Sequence, residues 1–266
     1  MTHTIVGEAL ALLIGVSLGL IGGGGSILTV PVLVYVMGIS PVVSTAYSLF
    51  IVGSTSLVGA LDYARQKRIN FRTAIVFSIP SFIAVYVVRK YVVPAIPDII
   101  LTVGSFQMTK NMGLMVLFAV IMLAASVSMI RSKPQVVKEG EIRFNYPLIL
   151  LEGLIVGAVT GLVGAGGGFL IIPALVLLAN LPMKEAVGTS LLIIAAKSLF
   201  GFLGDISHLT VDWSLLISFT GLACVGIFIG SWLAGRTDGE KLKQGFGWFV
   251  LVMGIYIFVK ELFFAA

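Results

Sequence analysis

Two apolar blocks, residues 5–38 and 145–180, run for 34 and 36 residues, and each is broken near its centre by a cluster of glycines. A membrane-spanning helix needs roughly 20 apolar residues, so either block is too long for one span and marginal for two. The interruptions read Ile21-Gly22-Gly23-Gly24-Gly25-Ser26 and Val163-Gly164-Ala165-Gly166-Gly167-Gly168. Glycine costs about 1 kcal/mol against alanine in a helix interior, and four close together stop the helix. A helix that stops inside hydrocarbon frees backbone N–H and C=O groups, which only protein or a polar cavity can satisfy. Both breaks must therefore be enclosed by the rest of the chain.

Six further apolar blocks, near 42–61, 73–93, 111–130, 183–204, 213–235 and 244–264, are separated by short turn-forming or charged stretches. Of 266 residues, 58% are hydrophobic and 11% charged, where soluble domains run to about half and a quarter. So few charges cannot keep the chain in water, which predicts a multi-pass membrane protein. Outer-membrane strands are alternating segments of roughly 10 residues, whereas these blocks are solidly apolar over twice that length. The expected fold is all-α. The stretch 89–110, with Pro94, Pro97 and Asp98, reads as a surface or interfacial connection.

Other function classes fall away. The net charge of +5 is scattered over short loops, where it reports orientation rather than nucleic-acid binding. One cysteine, Cys224, excludes a disulfide framework and thiolate clusters, and two histidines, His3 and His208, make a metal site implausible. No cofactor is expected. Met1 to Leu10 carries no Lys or Arg, so the first apolar stretch lacks the basic start of a cleaved signal and is expected to be retained. Gly22 to Gly25 is not followed by the Lys-Ser or Lys-Thr of a phosphate loop, which removes direct ATP drive. With no nucleophile–base set in view, an enzyme is not expected.

The two glycine blocks belong to an internal repeat. Placed at a constant offset of 142 without a gap, residues 15–63 and 157–205 share 17 identities in 49 positions. These include Gly15/Gly157, Gly19/Gly161, Gly22/Gly164, Gly24/Gly166, Pro31/Pro173, Ser48/Ser190 and Ser56/Ser198. The chain is read as a first membrane repeat, 1–133, a polar cytoplasmic linker, 134–143, and a second repeat, 144–266. Each repeat is a glycine-broken block followed by three transmembrane helices.

Charge decides how the repeats face. If each broken block crosses the membrane once, Lys and Arg divide 9 to 7 between the sides. If each block returns to its own side, as a hairpin or as two short spans, the repeats are inverted. Twelve Lys and Arg, from Arg65 to Lys243, then share one side, with only Arg89, Lys90, Lys110 and Lys260 opposite. The positive-inside rule favours the 12-to-4 split, with both termini outside the cytoplasm.

Inverted repeats with broken helices place a site where half-helix ends meet at the midplane. A helix restarts after each cluster, at about Ser26 and Gly168. Its first N–H groups and positive dipole end suit an anion. The candidate cradle is Gly22, Gly23, Gly24, Gly25 and Ser26 with Gly164, Ala165, Gly166, Gly167 and Gly168. The alternative is that these glycines serve close helix packing, the role expected of Gly15, Gly19, Gly157 and Gly161.

Hydroxyls form a second candidate set. Ser44, Thr45, Tyr47 and Ser48 begin the helix after the first block, and Thr189 and Ser190 match Tyr47 and Ser48 in the second. They would donate to an anion, or else bond back to their own helix. Lys197, opposite Thr55 in the repeat, is the only basic residue inside a span. An intramembrane charge is a functional candidate by default, with snorkelling to the interface as the alternative. Glu8 and Glu152 are weaker candidates, as proton relays or partners of Lys197.

The element Ile21-Gly-Gly-Gly-Gly-Ser-Ile-Leu-Thr-Val-Pro31 and its mate Val163-Gly-Ala-Gly-Gly-Gly-Phe-Leu-Ile-Ile-Pro173 resemble the sulfite exporter TauE/SafE family. So do Val187-Gly-Thr-Ser-Leu191 and Lys197-Ser-Leu-Phe-Gly-Phe-Leu-Gly204. The likeness covers nearly the whole chain. Two departures from symmetry stand out: Ala165 replaces a glycine in the second cluster, and Ala46-Tyr47-Ser48 stands opposite Gly188-Thr189-Ser190. The resemblance implies a permease of the bacterial inner membrane that carries sulfite, thiosulfate or an organosulfonate. Alternating access between the repeats is the expected mode, with a proton or sodium as candidate coupling ion, in a monomer or homodimer. An anion channel, or a non-transporting assembly or sensor protein, remains the alternative.

Overall fold

The computed structural model describes residues 2–103, 106–131, 146–168, 170–172, 175, 181–234, 236 and 239–263. Among them the principal helices are α1 (Thr2–Ile21), α2 (Pro41–Arg65), α3 (Phe71–Val87), α4 (Lys110–Arg131), α5 (Tyr146–Val163), α6 (Met183–Asp205), α7 (Trp213–Ala234) and α8 (Gly239–Phe263). Five helices are long and apolar enough to cross a membrane: Pro41–Arg65, Phe71–Ala95, Lys110–Arg131, Glu185–Asp205 and Trp213–Ala234. Shorter apolar helices, Val6–Ile21, Gly25–Val36 and Pro147–Val163, flank the glycine breaks. At 1.5 Å per residue Gly25–Val36 reaches only about 18 Å, short of a hydrocarbon core of about 30 Å. The chain is an all-α multi-pass membrane protein. The linker expected at 134–143, and Pro173 of the second glycine element, lie outside the described residues.

The first broken block is a hairpin. Helix α1 stops at Ile21 because Gly22 turns left-handed, at φ +65°. The chain then runs as a 3-10 turn over Gly22–Leu28, a short α turn over Thr29–Pro31 and a π turn over Val32–Val36. Gly25 packs on Ser17 and Leu18, and Met37 returns to pack on Gly7. The two halves therefore lie side by side and antiparallel, with the glycines at the tip. In the second block α5 ends at Val163, and Gly164, Gly166 and Gly167 all take positive φ (+72°, +64° and +64°) before a helix restarts at Gly168. Gly167 packs on Thr160 as Gly25 packs on Leu18, its mate at the offset of 142.

The repeats exchange partners. Gly15 and Gly19 of α1 meet Ala223, Ile227 and Gly230 of α7, numbers rising together, so these helices run parallel. Gly153, Gly157 and Gly161 of α5 meet Pro80, Ser81 and Val85 of α3 in the same way. Small residues let the backbones approach, as is usual between membrane helices. At the centre Gly53 meets Leu199, Gly59 meets Leu191 and Gly201 meets Leu49, so α2 and α6 run antiparallel. Gly247 against Met129 and Gly254 against Met122 make α8 and α4 antiparallel too. Exchanging the repeats maps this set of pairings onto itself.

Helices α2 and α6 carry the polar interior. Ser44, Thr45, Ser48, Thr55 and Ser56 are buried on α2, and Thr189, Ser190, Lys197 and Ser198 on α6. The outside is apolar instead. Ile75, Ile79, Ile83 and Val87 form an exposed stripe on α3 at four-residue spacing. A surface of this kind is stable against lipid and not against water.

The connection after α3 is more ordered than the sequence reading expected. After a π turn (Val88–Val92) and a short helical turn (Val93–Ala95) come antiparallel strands β1 (Ile99–Val103) and β2 (Phe106–Thr109), with Val103 opposite Phe106 and Thr102 opposite Gln107. β-Branched Ile99, Ile100, Thr102 and Val103 suit this small hairpin. It leaves the all-helical membrane part unaltered.

Candidate anion site at the glycine tips

The two glycine tips meet. Gly23 and Gly168 lie backbone against backbone, so that a side-chain carbon on either would overlap the other. Ser26 donates from Oγ to the carbonyl of Gly23 at 2.7 Å and, across the repeats, to the carbonyl of Ala165. Gly166 packs on Ser26 and on Val52 of α2. The absence of a side chain at Gly168, where the first repeat has Ser26, is required by this contact. Gly24 lies inside the same 3-10 turn.

The restarts differ from the expected pair at Ser26 and Gly168. In the second repeat the helix does restart at Gly168, with the carbonyl of Gly167 accepting from Leu170 and Ile171 at 3.0 and 3.2 Å. In the first it restarts at Gly22, because a single left-handed residue suffices to turn the chain and the 3-10 turn begins at once. The tips are thus related but not identical.

Lys197 joins the second tip. It is 1% exposed, and Nζ donates to Oγ1 of Thr160 at 3.1 Å. A side-chain carbon at Gly167 would come within 2.7 Å of that ammonium, so glycine is needed there for space as well as for φ. Among the described residues no carboxylate pairs with Lys197. The ammonium is directed inward to the glycine turn rather than outward to an interface. Glu152 is half-buried near Leu148, Leu151 and Ile155, eight residues or about 12 Å along α5 from Thr160. Glu8 is exposed. Neither carboxylate pairs with Lys197.

The hydroxyls divide by role. Tyr47 accepts at its phenol oxygen from the N–H of Asp212 at 2.6 Å, and Thr189 accepts at Oγ1 from the N–H of Asn70 at 3.0 Å. Tyr47 and Thr189 are mates at the offset of 142, and so are Asn70 and Asp212. Each hydroxyl thus holds the start of the third helix of the other repeat. Ser190 donates back to Val187 at 2.8 Å, and Ser44 to Ile39 at 3.0 Å. Buried Ser48, Ser56 and Ser198 have hydroxyls without a partner among the described residues. Ser56 and Ser198 are mates, next in sequence to Thr55 and Lys197. Gly22 is set apart from the meeting point, against Val187 and Ile172, and Gly164 against Thr45. Among the described residues no group of three His, Cys, Asp or Glu could hold a metal ion.

The profile of the sulfite exporter TauE/SafE family matches residues 9–257. The chain belongs to that family. Relatives share a little over a quarter of their residues with it. A protein of Xylella fastidiosa (strain 9a5c) named "Probable membrane transporter protein" is 28% identical, over 92% of this chain and 91% of its own length. "Probable membrane transporter protein YunE" of Bacillus subtilis (strain 168) is 28% identical over 85% of this chain and 84% of its own. "Probable membrane transporter protein MJ0441" of Methanocaldococcus jannaschii is 29% identical over 87% and 83%. No solved structure matches the chain. TauE/SafE is a family of membrane transporters, not of enzymes.

One buried charge of this TauE/SafE protein was not singled out from sequence. Arg89, read there as a loop charge beside Lys90, is fully buried on the π turn and lies 3.4 Å from Oδ2 of Asp205 at the end of α6. Position near a helix end made it look interfacial. Its partner is 116 positions away, beyond any local pattern.

Proposed function

We propose that this protein is a secondary transporter of a small, sulfur-containing oxyanion such as sulfite, thiosulfate or an organosulfonate. The observation that carries the reading is the meeting of two glycine turns beside Lys197, a buried ammonium without a carboxylate partner among the described residues. Glycine brings backbone N–H groups within reach of a ligand, and a buried cation favours an anion over a neutral solute. The unpartnered hydroxyls of Ser56 and Ser198 can donate to it without adding charge. Sulfur enters through the family name; the site chemistry asks for an oxyanion.

Alternating access draws support from the antiparallel courses of α2 against α6 and of α4 against α8. Repeats of opposite direction have the symmetry by which one half rocks against the other around a shared site. The ion pair of Arg89 with Asp205 and the contact of Gly188 with Tyr63 and Arg68 fit the sidedness read from charge, placing each pair at a common end. On this reading the loop Asp62 to Asn70 and the linker 134–143 are cytoplasmic, and 1–133 and 144–266 are the two repeats. The test is flux in proteoliposomes against sulfite, thiosulfate, sulfate, a sulfonate and a carboxylate, under imposed proton or sodium gradients. Saturable flux of a sulfur oxyanion that follows one gradient is expected. Flux of none of them, or non-saturating flux indifferent to both gradients, contradicts secondary transport of this class.

A further inference from the structure

Arg89 is bound in a way that leaves one edge of its guanidinium without a hydrogen-bond partner among the described residues. The guanidinium is fully buried, yet both of its contacts use the same nitrogen: Nη1 donates to Oγ1 of Thr45 at 3.0 Å and lies 3.4 Å from Oδ2 of Asp205. Among the described residues Nε and Nη2, which form one side of the planar fork, have no partner, and Oδ2 of Asp205 has no hydrogen bond. A buried arginine–carboxylate pair built for stability is usually bidentate, because unspent donors in the interior are costly. The pair here is single and long.

Its place in the fold connects it to the tips. Thr45, which accepts from Arg89, packs on Gly164, the first left-handed residue of the second tip. Val88, the preceding residue, packs on Gly161 of α5, and Gly204 of α6 packs on Arg89 itself. Asp205 stands eight residues beyond Lys197 on α6, about 12 Å along the helix. Arg89 also sits on a π turn, a local widening of the helix that recurs at functional positions.

We propose that Arg89 is a second anion-binding residue, at which a permeating oxyanion takes the unpaired Nε–Nη2 edge while the carboxylate of Asp205 stays on Nη1. Asp205 holds the guanidinium while no anion is there and, as a like charge on the same guanidinium, weakens the hold on an anion when one arrives. The ligand class is a small oxyanion with two oxygens able to take parallel N–H donors, whether sulfite, thiosulfate or a sulfonate. The proposal rests on the transport reading above.

The experiment measures binding and flux of sulfite and thiosulfate by purified, reconstituted wild type, Arg89→Lys, Asp205→Asn and the double variant Arg89→Met with Asp205→Leu. Arg89→Lys keeps the charge and the pairing with Asp205 but lacks the fork, so flux is expected to drop roughly tenfold or more. Asp205→Asn is expected to bind the anion several-fold more tightly. The double variant, which removes both charges together, is expected to fold yet stay slow. If Arg89→Lys or the folded double variant carries the anion at the wild-type rate, the pair is structural only and the proposal is overturned. Wild type that carries neither anion overturns the transport reading itself, a result distinct from failure at Arg89.

Discussion

Gly23 and Gly168 come from opposite repeats and touch through their backbones, so the two glycine turns have no room for a β-carbon between them. Gly23→Val and Gly168→Val are expected to abolish flux and to lower stability by about 1–3 kcal/mol, the usual cost of overpacking. Size-exclusion and thermal unfolding in detergent separate a folded, inactive protein from one that fails to assemble. A folded valine variant with wild-type flux would contradict a tip-to-tip site.

The sidedness of the two third-helix entrances is equally exposed to test. Lys67→Cys and Ser207→Cys, each on a Cys224→Ser background, lie at exposed positions in the corresponding loops of the two repeats. An impermeant thiol reagent is expected to label Ser207→Cys in intact cells and Lys67→Cys only after the membrane is opened. Labelling of both from one side would mean parallel repeats.

Tyr47 and Thr189 give a prediction about stability rather than affinity. Tyr47→Phe and Thr189→Val each remove the acceptor for a backbone N–H of the other repeat, at Asp212 and Asn70. Leaving such a donor unsatisfied costs about 1–3 kcal/mol. Thermal unfolding should show the loss, while anion affinity stays within twofold of wild type. A tenfold loss of affinity with unchanged stability would return both hydroxyls to the binding site.

Much of this architecture is legible in the sequence because duplication writes it twice. The offset of 142 aligns Gly22 with Gly164 and Ser56 with Ser198, and the charge of the loops orders the spans. What it leaves open has physical causes. Glycines report where a helix stops, not whether the chain then turns back, which in the first block the contacts of Gly25 with Leu18 and of Gly7 with Met37 decide. Hydroxyls at the start of a helix look alike whether they face a ligand or the next repeat. The Gly-Ser pair at 104–105, after the β-branched Ile99, Ile100, Thr102 and Val103, is a hairpin signal that the reading of 89–110 as a connection passed over. Nothing near Arg89 signals its burial, since Asp205 reaches it only through the folded α6.

Lys197 is where an anion and a merely buried lysine part company. Lys197→Met keeps the apolar volume and removes one charge. At an effective dielectric near 20, charges about 4 Å apart attract by on the order of 4 kcal/mol before desolvation. A quarter of that surviving weakens binding about fivefold. Lys197→Arg, which keeps the charge but not the compact head, should fall between. The measurement is the Kd of the transported anion for the folded, purified Met variant, with its thermal unfolding recorded beside it. An anion held at the tips predicts at least a several-fold rise in Kd with stability equal to wild type or higher. Unchanged Kd in a folded variant would contradict it.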